Sequence, residues 1–180
     1  MEPTAAVDYR YPVGPLELPA EPLTAAQRRP LLEQLAALPA QLMQAVRDAG
    51  EIRLEQPYRP GGWSGRQVIH HLADAHQLGY LRFRLTLTED QLSVAGYNQN
   101  AWTALPDVAR TPVRVSLALL EALHTRWGVL LEQLSEEQWQ RRFFQSTFQR
   151  HFTLNHALTL YAWHSRHHLG HVRLLAGQHL

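Results

Sequence analysis

Four stretches of this chain repeat apolar residues at spacings of three and four, and no stretch alternates them convincingly. That period is helical, so the chain buries its apolar surface by packing helices on one another. The first predicted helix runs from about Thr24 to Ala49, capped by Thr24 and stopped by Gly50. Leu31, Leu35, Leu38, Leu42 and Val46 form its apolar stripe, and Pro39 is expected to kink or split it. The second starts at Ser64, which forms a capping-box pattern with Gln67, and reaches about Thr88. The third spans about Pro112 to Leu134, and the fourth about Thr153 to Gly177. These predict an all-α fold, a four-helix bundle in one domain over residues 1–180.

The connections carry their own signals. Residues 1–23 hold five prolines and predict an extended arm on the domain surface. Residues 89–112 lack a long period and predict a long loop between the second and third helices, of the kind that often carries function. Ser135 with Gln138 predicts a short capped turn, and "RRFFQSTFQRHF" predicts a small hairpin or a loop.

Composition removes several classes of function. A net charge of +1, without long basic runs, argues against a nucleic-acid partner. No apolar stretch approaches the length of a membrane span and the start has no signal core, which predicts a cytoplasmic protein with no membrane partner. The chain has no cysteine, so any metal must be held by His, Asp or Glu.

Histidine is where the sequence points to chemistry. "YAWHSRHHLGHV", residues 161–172, carries four of the eleven histidines. His164 and His168 are four apart and share a helix face with Leu160, Tyr161, Val172 and Leu175, so they point into the bundle. His171 is on the same side and His167 at its edge. On the second helix, His71 falls on the inward stripe of Val68, Leu72, Ala75, Gly79 and Phe83. His70 falls on the polar side near Asp74, and His76 is one step off the stripe. His124, His151, His156 and His179 have no comparable pattern and read as surface or incidental.

Three neutral imidazoles, His71, His164 and His168, are the ligand set of an open catalytic zinc site, with nickel as the alternative. One divalent ion per chain is expected. Ser165 stands where a zincin protease would carry its glutamate, which argues against that class. The competing reading is a hydrogen-bonded polar cluster in the core.

The segments "GGWSGRQVIHHLADAH" and "LYAWHSRHHLGHV" resemble the DinB-like superfamily of metal-binding four-helix bundles, in its YfiT-like branch. "YPVGP", "YLRFRLTLTED" and "YNQNAWTALPD" extend the likeness from about Tyr11 to His171. The resemblance implies metal ligation by one histidine of the second helix and an HxxxH pair of the last, which are again His71, His164 and His168. It implies a metal-dependent hydrolase acting on a small molecule, or a related S-transferase using bacillithiol or a similar low-molecular-weight thiol. It also implies a homodimer. Asn98 departs from an acidic residue frequent in the family, and "FFQSTFQRHF" replaces a His-Pro-acidic-Gly stretch, so substrate choice is left open.

Hydrolysis would use water activated by the metal and a proton acceptor, for which His171 and then His167 are the candidates. In the thiol reading the metal would hold a thiolate that attacks an electrophile. A third reading is a metal-binding or structural bundle without turnover. Tyr97 and Trp102 are expected near the pocket. Arg82, Arg84 and Arg166 are candidates for binding an anion.

Overall fold

The structure, a computed structural model, describes residues 8–19 and 22–178. His179, read from the sequence as incidental, lies outside the described residues. The first long helix, α1, is Ala25–Ala49. Thr24 accepts from the Gln27 backbone N–H, and the Gln27 side chain accepts in return from the Thr24 N–H. Pro39 does not split the helix, although it removes one backbone donor. Leu38 and Leu42, both fully buried, hold the helix on either side of it. Gly50 ends α1 with φ of 73°, a left-handed conformation in which glycine carries no side-chain penalty.

A short helix α2, Glu51–Leu54, leads to α3, Gly65–Thr88, which Ser64 and Gln67 cap as a box. The long connection is not bare loop. It holds β1, Ser93–Val94, then α4, Gln99–Thr103, and α5, Pro106–Arg110. Next come α6, Val113–Glu132, and the short α7, Glu136–Trp139, capped by Ser135 and Gln138. The aromatic segment is a hairpin of β2, Arg142–Gln145, and β3, Arg150–Thr153. β1 adds parallel to β2, pairing Ser93 with Phe144. The resulting small sheet pins the start of the long connection. The last helix, α8, is Leu154–Leu175.

The four long helices close a ring in which α1 packs on α8, α8 on α3, α3 on α6, and α6 on α1. Gly79 permits close approach at the centre. A Cβ there would lie 2.5 Å from Tyr161 of α8 and 2.7 Å from Trp127 of α6. Apolar burial forms two clusters. One contains Leu38, Leu42, Leu72 and Leu120, the other Phe83, Trp127, Leu154 and Leu158. Between them, along α3, α6 and α8, lie His76, His124 and His164. No described helix is long and apolar enough to cross a membrane.

Candidate metal centre

α3 supplies His71 and α8 supplies His164 and His168. A helical repeat of 3.6 residues places the α8 pair one turn apart on the face that packs on α3. Their ligand atoms all lie within 4.8 Å of one another. His71 Nε2 and His164 Nε2 are 3.2 Å apart. Tetrahedral zinc with Zn–N bonds of about 2.0–2.1 Å puts neighbouring ligand nitrogens roughly 3.3 Å apart, so the donor set fits a divalent ion. His167, His168 and His171 form a second group of similar closeness. His167 and His168 are adjacent in sequence and so about 100° apart around the helix.

Burial sets the protonation of these rings. It pushes His71 down to about 4, with His167 nearby adding to the effect. It holds His164 and His168 well below the ordinary histidine value, with neighbouring histidines adding to it. All three are therefore neutral at pH 7, the form that binds metal.

Each of the three histidines is braced. The Tyr97 hydroxyl lies 3.4 Å from His71 Nδ1, and Trp102 packs on the Tyr97 ring. Burial raises the Tyr97 hydroxyl to about 12, so it remains protonated. Trp63 lies against His71 and stacks over His168. His76 Nε2 lies 3.1 Å from His164 Nδ1, and His171 Nδ1 lies 3.3 Å from His168 Nδ1. The Tyr9 carbonyl accepts from His171 Nε2 at 3.1 Å, and Tyr58 stacks on the His171 ring at 3.8 Å. His167 stacks on Trp163, and its buried Nδ1 has no hydrogen-bond partner among the described residues.

A cavity of about 500 Å³ opens over His164 and His168. Its walls include Tyr11, Tyr58, Trp63 and Trp163, with His167 and His171 beside them. Among the described residues the charged side chains in the lining are Arg10 and Arg59, and none is a carboxylate. Asp8 pairs with Arg10 outside the lining. Arg59 donates to the Pro60 carbonyl, but its buried Nε is unpartnered among the described residues.

Residues 23–172 match the family model of the DinB superfamily. The chain belongs to the DinB superfamily. It is 41% identical to YfiT of Bacillus subtilis over 95% of this chain and 96% of YfiT. It is 39% identical to a relative from Bacillus cereus strain AH820 over 93% of this chain and 95% of that one. Both relatives are provisionally named metal-dependent hydrolases. The solved structure of YfiT, described as a probable metal-dependent hydrolase with an unusual four-helix bundle topology, superposes with a TM-score of 0.89. That match covers 94% of this chain and 96% of the other. The four-helix bundle is therefore shared by YfiT and this chain.

Several sequence expectations need correction. His124 is not a surface residue. It is 5% exposed, its Nδ1 donates to the Leu35 carbonyl, and its Nε2 lies 3.0 Å from His76 Nδ1. The closeness of α6 to both α1 and α3, invisible in a single helix pattern, buries it. His70 is also buried, and it meets Ser116 Oγ and the Thr111 carbonyl rather than Asp74. The segment before α6 covers that side of α3. His151 is exposed, and His156 caps α8 while donating to the Pro19 carbonyl. Arg82 and Arg84 donate to the hydroxyls of Tyr161 and Tyr80, and Arg166 lines a different cavity. The arginines over the candidate centre, Arg10 and Arg59, come from the arm and the α2–α3 turn, which carry no period to flag them.

Proposed function

We propose that this protein is a metal-dependent hydrolase of small anionic molecules, with its divalent ion, zinc or alternatively nickel, held by His71, His164 and His168. The observation that carries the reading is the meeting of three neutral ligand histidines beside a cavity of about 500 Å³. The provisional naming of the relatives supports it. When bound there, a divalent ion supplies Lewis-acid polarisation of a substrate oxygen and lowers the pKa of water to about 7. The chain's own residues do the rest. Arg59 holds an anionic group at the mouth, and the aromatic walls order the apolar part of the substrate. Of the two proton-acceptor candidates, His171 has both ring nitrogens in hydrogen bonds and positions His168. His167 lines the cavity and makes no side-chain hydrogen bond among the described residues, so it is assigned the proton from the water.

A second reading, thiol S-transfer, gains from the lack of a carboxylate among the described lining residues. A small thiol held there would lose its proton to solvent, and the thiolate would form a C–S bond with an electrophilic carbon as the leaving group departs with its electron pair. That step needs no general base once the thiol has ionised. The deciding experiment uses untagged protein. Metal per chain is measured in wild type, His71→Ala and His164→Ala, followed by turnover of carboxylate-bearing esters with and without added thiol. About one ion in wild type, lost in both variants, with ester hydrolysis independent of thiol, is the expected result. Turnover that requires the thiol overturns hydrolysis in favour of transfer, and no stoichiometric metal overturns both.

A further inference from the structure

We propose that two buried histidine relays lock the proton positions of His164 and His168, and that His71, braced by Tyr97, is the ligand whose tautomer changes when a metal binds. His76, His124, His171 and Tyr97 are then positioning residues.

The directions follow from the ends of the relays. A carbonyl oxygen only accepts, so the Leu35 carbonyl, 2.7 Å from His124 Nδ1, fixes a proton on that nitrogen. A neutral imidazole has one donor and one acceptor, so His124 Nε2 accepts. It faces His76 Nδ1 at 3.0 Å, which must donate. His76 Nε2 is left to accept from His164 Nδ1 at 3.1 Å. The relay therefore ends on a bare lone pair at His164 Nε2. His76 and His124 are buried with no carboxylate paired to them among the described residues, which favours the neutral ring.

The second relay begins in the arm. The Tyr9 carbonyl takes the His171 Nε2–H at 3.1 Å, so His171 Nδ1 accepts. His168 Nδ1, 3.3 Å away, must donate, and His168 Nε2 is left bare. Both α8 histidines are thus held in the tautomer that ligates through Nε2. A buried polar group is costly unless paired, and each relay is paired at every step through to a backbone oxygen.

His71 differs because its brace is a hydroxyl, which donates or accepts equally well. His71 Nε2 faces the bare His164 Nε2 at 3.2 Å, so without a cation between them His71 Nε2 must carry the proton. The Tyr97 O–H then donates to His71 Nδ1. Ligation requires a bare His71 Nε2. The N–H at Nε2 is broken and one at Nδ1 is formed by exchange with solvent, and the Tyr97 oxygen turns to accept. The ring stays neutral throughout.

The test is a long-range proton–nitrogen NMR correlation on full-length protein with nitrogen-15 histidine, metal-free and with one equivalent of zinc. His76, His124, His164 and His168 should carry the proton on Nδ1, and His171 on Nε2, in both states. His71 alone should move its proton from Nε2 to Nδ1. A proton on Nε2 of metal-free His164 or His168 overturns the relays, and a His71 unchanged by stoichiometric zinc overturns the switch. The switch rests on the metal reading above. If zinc fails to bind, that reading and the switch fall together, while the metal-free spectrum still decides the relays.

Two variants add a second readout. His124→Leu removes the donor and acceptor and should weaken zinc binding about 10–100-fold, the usual loss for a group behind a ligand. His124→Gln restores both roles and should bind zinc within about threefold of wild type. Wild-type affinity in His124→Leu overturns the relay even if the variant is less stable.

Discussion

His71 Nε2 and His164 Nε2 face each other at 3.2 Å where α3 packs on α8. Two bare imidazole nitrogens repel at that distance, and one proton or one cation between them removes the repulsion. A ligand that binds only the folded state stabilises it by about 2.7 kcal/mol at 100 times its Kd. For a chain of this size that raises Tm by roughly 5–11 °C. Differential scanning calorimetry with and without zinc should show the rise in wild type. In His164→Ala the rise should disappear, because one of the three proposed ligands is gone.

Acid should unfold the protein over a definite window. Unfolded histidines titrate near 6.5. Folded, burial pushes His71, His124 and His167 down to about 4 and His171 to about 3. Between those values the unfolded chain binds more protons, so stability rises with pH there and is lost as pH falls from about 6.5 toward 4. Circular dichroism against pH should give an acid transition inside that window, steeper than a one-proton transition. His124→Gln should lower the proton count by about one.

How much of this was legible depended on whether a residue's role lay within its own helix. The stripes of α1, α3, α6 and α8 and the boxes at Ser64 and Ser135 follow from spacing alone. The clustering of His71, His164 and His168 is legible in the same periods, because a side chain pointing inward obeys the period of the core. His124 and His76 did not, because their burial comes from neighbouring helices that close over them. Arg59 was missed since turns have no period, and β1 since two residues are too few to show alternation.

Gly79→Ala should destabilise the bundle although alanine favours helix by about 1 kcal/mol. The added Cβ would sit 2.5 Å from Tyr161 and 2.7 Å from Trp127, both rigid rings in the core. Overpacking of that kind costs about 1–3 kcal/mol, so the net effect is a loss of up to about 2 kcal/mol. Chemical denaturation should show a lower midpoint. An unchanged or higher midpoint would mean that α3 moves away from α8 at little cost. Zinc affinity in the same variant would then show whether the triad tolerates the displacement.

Arg59→Met tests the anionic substrate class apart from the metal. Among the described residues Arg59 lines the cavity with its Nε unpartnered, and no carboxylate lines the wall to neutralise it. A hydrogen bond to a charged group contributes about 1.5–3 kcal/mol, or roughly 10–150-fold in affinity. Benzoate and benzamide have similar shapes and differ in charge, and calorimetry on zinc-loaded protein measures both. Benzoate should bind wild type more tightly and lose about 10-fold or more in Arg59→Met, while benzamide is unchanged. Zinc content should be the same in both proteins, because Arg59 touches the cavity and not the triad. Equal binding of the two probes to wild type would remove the anion from the substrate class while leaving the metal centre intact.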